Sequence, residues 1–241
     1  MDPLIKKGNK ETALDTVKTL LAYGYIIEPP SQEFEEINRK QNLELNPTQV
    51  SSRTYRAEKT YAITSGKWYY EVEICTIGCI EIGWSSVLSN PNIDISEDSE
   101  SYSFDCSAAC KYHNGSDPFG KTCTIGDIIG VMIDCQDKTV CFSLNGEFLM
   151  DAVGSESAFE NINANDGFLP AFTLFNGQRI RVNLGQDVNS LRYFTNCGLQ
   201  EGYEPFAVNM TRQITFWYSN QVPLFENVDE NNETLEIVRN K

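Results

Sequence analysis

A chain of 241 residues with 19 basic and 34 acidic side chains carries a formal charge of -15, which repels nucleic-acid phosphates and anionic lipid surfaces and disfavours both as partners. No apolar run approaches the roughly 20 residues of a spanning helix, and MDPLIKKGNK has no signal-peptide core, so a soluble, cytosolic fragment without membrane insertion is expected. The eight cysteines fall largely within strand patterns and read as buried free thiols, because disulfide frameworks belong to small secreted domains.

In chain order, KETALDTVKTLLAY (residues 10–23) puts Leu14, Val17 and Leu21 on one helical face, with Asn9 as cap and Gly24 suited to the turn after it. Pro29 and Pro30 stop that helix, and residues 31–46 read as a charged linker. The β pattern starts at TYRAEKTYAI and continues in KWYYEVEI, where Trp68, Tyr70, Val72 and Ile74 alternate with Lys67, Tyr69, Glu71 and Glu73, so one face is core. CIEIGWS follows, with Gly83 placed for close approach of another backbone or a ring. Residues 93–105 hold Asp94, Glu97, Asp98, Glu100 and Asp105 with no basic residue, which reads as a solvated acidic loop. SYSFD, GDIIGVMID and KTVCFSLNGE are further strands, the last turning at Asn145-Gly146, which supplies the positive φ of a two-residue hairpin. Asn176-Gly177 is expected to join FLPAFTLF and RIRVNLG as a second hairpin. The aromatic C-terminal part is expected to wrap the sandwich with one short strand at ITFWY and to fray from Glu226.

These elements predict an all-β fold of two antiparallel sheets packed face to face. The expected divisions are an N-terminal helix and linker (1–52), a sandwich (53–210) and an extension with an acidic tail (211–241). Trp68, Val72, Trp84, Ile133 and Phe142 are the expected inter-sheet core.

Several motifs imitate chemistry. GSDPFGKT (residues 115–122) matches the phosphate-binding P-loop pattern, but it lacks the preceding strand and following helix that build the cradle, and Pro118 removes a donor. Cys106, Cys110, His113 and Cys123 have no recognised metal-ligand spacing. His113 is the only histidine, and no nucleophile motif accompanies it. Neither an enzyme nor a cofactor or metal is therefore expected. The contact candidates are the acidic loop residues Asp94, Glu97, Asp98 and Glu100, then Asp117 and Phe119, and the helix face of Leu14, Val17 and Leu21, because recognition by a sandwich falls to its loops.

GKWYYEVEI, IGW, SYSFD, GDIIGVMID, FSLNGE and DGFLPAFTL together resemble a SPRY domain. TLLAYGYIIEPP, RTYRAEKTYAITSGKWYYE, NLGQDV, CGLQEGYEPFAVNM and VPLFENVDE sharpen the likeness to the second SPRY domain of ryanodine receptors. Cys106, Cys110 and Cys123 depart from that pattern, standing where glycine or aromatic residues are usual. The resemblance implies a scaffolding domain of a homotetrameric calcium-release channel on the cytosolic face of the sarcoplasmic or endoplasmic reticulum. Its partners would be other cytosolic domains of the channel and regulatory proteins. A stand-alone cytosolic SPRY adaptor is the alternative, with a P-loop-like nucleotide binder behind it.

Overall fold

The computed structural model describes residues 52–238 except 91, 209, 211–213, 221–223, 228–231 and 233. The helix expected over residues 10–23 lies outside the described residues. The first sheet contains β1 (Ser52–Ala57), β3 (Ile80–Ser86), β4 (Ser101–Asp105), β5 (Cys110–Tyr112), β6 (Ser116–Pro118), β11 (Phe168–Phe175), β14 (Phe216–Asn220) and β15 (Leu224–Asn227), in the order β15-β14-β1-β11-β3-β4-β5-β6. The second runs β10 (Ser157–Glu160), β8 (Thr139–Leu144), β7 (Ile128–Asp134), β2 (Lys67–Ile74), β12 (Ile180–Asn183), β16 (Leu235–Ile237), with β9 (Glu147–Phe148) on β8 and β13 (Glu204–Pro205) on β2. Pairing is antiparallel except between β12 and β16 and between β13 and β2.

Alternation along each strand builds the core between the sheets. Tyr70, Val72 and Ile74 of β2, with Val131 and Ile133 of β7 and Phe142 of β8, share one buried cluster with Ile82 and Trp84 of β3, Phe104 of β4 and Phe172 of β11. At its centre the Tyr70 ring lies edge-on to Trp84 at 5.0 Å and to Phe172 at 5.9 Å, and its hydroxyl donates to the Gly83 carbonyl at 2.6 Å. Gly83 is required there, since a Cβ would collide with the Tyr102 carbonyl oxygen on the neighbouring strand. Trp68 departs from expectation: it is half-buried at the margin of the core, its Nε1–H donating to Ser65 O at 2.7 Å and its ring edge meeting Phe206 at 6.4 Å.

The outward face of β2 is not a solvated face. Tyr69 and Glu71 are buried because residues 191–203, including the single helical turn α1 (Phe194–Cys197), fold back over it. Leu191, Phe194, Cys197 and Tyr203 form a second apolar cluster with Tyr69, Met132 and Cys141, and the Tyr69 and Phe194 rings are 5.3 Å apart. The Glu71 carboxylate accepts from Tyr69 Oη (2.9 Å) and from the backbone N–H groups of Arg192 (2.9 Å) and Tyr193 (2.7 Å). Three donors thus replace the water that its charge gives up.

The Asn145-Gly146 hairpin forms as expected, with φ values of 51° and 86° and strands β8 and β9 on either side. Asn176-Gly177 does not make a hairpin. Gly177 alone of that pair has a positive φ, 83°, and the Gln178 N–H donates to Phe175 O at 2.9 Å. This turn carries the chain from β11 in the first sheet to β12 in the second. The connection before β11 contains β10, and the tail expected to fray from Glu226 contributes β15 and β16.

Candidate docking surface

The outward face of the first sheet is polar but closed. Thr54 and Arg56 of β1, Thr173 of β11, Glu81 and Ser85 of β3, and Ser101, Ser103 and Asp105 of β4 are all buried. The connection between β3 and β4, which contains the acidic run, lies across them. Thr54 Oγ1 donates to Ile93 O (3.0 Å), the Ile95 N–H donates to Thr173 Oγ1 (3.0 Å), and the Ser96 N–H donates to Glu81 Oε2 (3.1 Å). Ile95 is fully buried between these anchors. The run is a cover whose polar groups serve the sheet beneath it.

The acidic candidates consequently divide. Asp98 is buried, not a surface group: its Oδ2 meets Arg56 Nη2 at 3.1 Å and accepts from Asn90 N–H (3.1 Å) and Ser101 Oγ (3.2 Å), and its Oδ1 accepts from Glu100 N–H (3.0 Å). Burial lowers the Arg56 guanidinium to about 10, against the opposing pull of Asp98. Asp94 is half-buried and accepts from Ser52 Oγ at 2.6 Å, and Glu100 is half-buried. Glu97 is exposed and carries the outward charge of the loop. Glu81, below it, is pushed up to about 7 by burial, with Asp94 and Asp105 adding to the shift and the Ser96 hydrogen bonds opposing it.

Asp117 is exposed on β6, the edge strand of the first sheet. Phe119, expected on the same surface, is in the core instead, 2% exposed, with its ring 6.2 Å from Phe104 and 6.4 Å from Phe142. The Phe119 N–H donates to Ala109 O at 2.9 Å, which turns the chain inward one residue after β6 ends. The Leu14, Val17 and Leu21 face lies outside the described residues.

The motifs that imitate chemistry are occupied otherwise. Within GSDPFGKT, Ser116–Pro118 is strand β6 paired with β5, no helix follows, and Lys121 Nζ reaches Glu147 at 3.4 Å. There is no loop-to-helix cradle for phosphates. His113 stacks on Tyr102 at 4.0 Å, and its Nδ1 lies 2.9 Å from Ser101 O. Among the described residues no group of three or more His, Cys, Asp or Glu side chains is placed to hold a metal ion. The cysteines are free thiols, with Cys106, Cys135, Cys141 and Cys197 buried and the other four half-buried.

One feature escaped sequence reasoning: a cavity of about 210 Å³ on the outer face of the second sheet, lined by Glu71, Glu73, Arg181, Asn183, Ser190 and Arg192 among others. Arg181 pairs with Glu73 at 2.9 Å and with Glu236 at 3.0 Å, and Arg192 reaches Glu73 at 3.7 Å. These charges are satisfied by one another. The only signal in the sequence was the Glu71-x-Glu73 spacing on the face of β2 opposite the expected core.

No helix among the described residues is long and apolar enough to cross a membrane. The model of the SPRY domain matches residues 67–187, half of the chain. The chain is 31% identical over 132 residues to the E3 ubiquitin-protein ligase RKP of Arabidopsis thaliana, covering 54% of this chain and 10% of that protein. It is 27% identical over 128 residues to the ATP-dependent RNA helicase DDX1 of Xenopus laevis, covering 53% and 16%. The similarity thus spans a small part of either relative. With its two-sheet sandwich and the family-model match across it, the chain belongs to the SPRY family of protein-interaction domains.

Proposed function

We propose that this SPRY domain is a docking module of a tetrameric intracellular calcium-release channel of the ryanodine-receptor kind, working on the cytosolic side of the endoplasmic or sarcoplasmic reticulum. The observation that carries the reading is CGLQEGYEPFAVNM, which lies beyond the family match at residue 187 and resembles the second SPRY domain of those channels. Tyr203 of that string packs in the outer apolar cluster and Phe206 in the main core, so the string is part of the domain's construction. Contacts would fall on Glu97 and Asp117, with Asp94 and Glu100 beside Glu97, and on the Leu14, Val17 and Leu21 face. The acidic groups favour a basic surface on a neighbouring channel domain or regulator.

The second reading is a stand-alone adaptor, favoured by the fact that the ligase and the helicase above share the SPRY portion without being channels by name. A tag placed on the native gene separates the two. Recovery of the tag in a large, four-fold membrane assembly supports the channel, whereas a polypeptide free of membrane and of such an assembly would make the adaptor correct.

A further inference from the structure

The base of the β5–β6 excursion is closed by two cysteines. The Cys123 N–H donates to the Cys106 carbonyl at 3.0 Å, which holds the two Cα atoms near the separation a disulfide spans, roughly 4.4–6.8 Å. Both residues belong to the same apolar neighbourhood, Cys106 buried within the core cluster and Cys123 half-buried against it. Between them the chain forms β5, β6 and the turn that inserts Phe119 into the core. Cys110, the other thiol of this stretch, has its Sγ directed to Ala108 O at 3.5 Å.

We propose that Cys106 and Cys123 are a thiol-disulfide modification site, oxidised by a low-molecular-weight disulfide of the glutathione class, which staples the edge hairpin carrying Asp117. Cys123 is the accessible member. As thiolate it attacks one sulfur of the small disulfide, forming a mixed disulfide and expelling one thiolate. Cys106, once deprotonated, attacks Cys123 Sγ and expels the second. Two protein thiols are oxidised, one small disulfide is reduced, and the two protons end on the two departing thiols. The neighbouring Cys106 thiol, burial and the carboxylates of Asp127 and Asp105 all push the Cys123 thiol up, so exchange is slow at neutral pH and accelerates as pH rises.

The test is incubation of the reduced 241-residue chain with oxidised glutathione at pH 7 and pH 8.5, followed by thiol counting and peptide mapping without reductant. The expected result is loss of two thiols, a Cys106–Cys123 link that forms faster at pH 8.5, and a melting temperature raised by roughly 6–12 °C for a closed loop of about 17 residues. Cys123→Ser, at the half-exposed position, and Cys106→Ala should each abolish the link, and Cys110→Ser should leave it intact. A glutathione adduct persisting on Cys123 while Cys106 remains alkylatable, or a link that requires Cys110, would overturn the proposal.

Discussion

Arg56 and Asp98 form an ion pair 3.1 Å long in which the two side chains are only 10% and 4% exposed. One belongs to the second strand in the order of the domain's first sheet from β14, the other to the loop lying over it. Arg56 Nη2 also donates to Asn90 O at 2.8 Å, so a single guanidinium fastens both ends of the cover. Its Nε and Nη1 have no partner although buried, and the arrangement therefore depends on Asp98 to balance the charge. Asp98→Ala should lower stability by about 3–5 kcal/mol, because it leaves a buried cation uncompensated. Glu97→Gln, an exposed position two residues beyond the buried Ile95, should stay within about 0.5 kcal/mol. Denaturant midpoints of the two variants check this directly.

The core makes a second prediction, which separates its two tryptophans. Trp84 is fully buried beside Tyr70 and Phe206, at 5.0 and 5.7 Å. Trp84→Ala should cost about 3–5 kcal/mol. Trp68→Ala, at the half-buried margin, should cost clearly less. Equal midpoint shifts for the two would show that the margin is as well packed as the centre.

Glu81 sets a pH dependence with a definite sign. Its folded value, about 7 against an ordinary 4.5, means that the native state holds a proton which the unfolded chain releases. Its contribution is fully present below pH 4.5 and is lost as pH rises through 7. The shift corresponds to a loss on the order of 2–3 kcal/mol across that window. Lowered carboxylates such as Asp127, Asp134 and Asp151 act oppositely, in more acidic solution. Glu81→Gln keeps an acceptor for the Ser96 N–H and should flatten the stability profile between pH 5 and 8 while stabilising the domain at pH 8. A wild-type profile that rises across this window would contradict the assignment.

Much of the sandwich was legible because its strands alternate. The inward set Tyr70, Val72 and Ile74 could be read from β2 alone, and the hairpin from Asn145-Gly146, since both signals are local. What stayed hidden depends on distant residues. Glu71 is buried by backbone donors 121 and 122 positions further on, and Asp98 by an arginine 42 positions earlier. A charge count therefore read the acidic run as solvated, although the apolar pair Ile93 and Ile95 within it was a sign that one side faces protein. Phe119 was misplaced because it lies in one of the loops to which recognition was assigned, whereas a single inward turn after β6 delivers the ring to Phe104 and Phe142. Sheet membership of β11 and β12 was also unreadable: the Asn176-Gly177 pair suggests a two-residue hairpin turn, but the link spans four residues, 176–179, and Asn176 lacks the positive φ such a turn needs.

The surface prediction follows from the division of the acids. Glu97 and Asp117 are exposed, so Glu97→Gln with Asp117→Asn should leave the melting temperature unchanged. The same pair should slow association with a basic partner and weaken its salt dependence, since their attraction extends about one Debye length, roughly 8 Å at physiological salt. Stopped-flow association rates at two ionic strengths measure both effects. Including Asp98 in such a variant would confound docking with the loss of the Arg56 pair.

Docking within a larger channel is tested most directly by carboxylate-to-lysine cross-linking of the natively tagged protein, read by mass spectrometry. The expected result is cross-links from Glu97 and Asp117 to lysines lying outside residues 1–241, in the same polypeptide or its symmetry mates. Cross-links confined to this domain, or joining it only to unrelated soluble proteins, would contradict it.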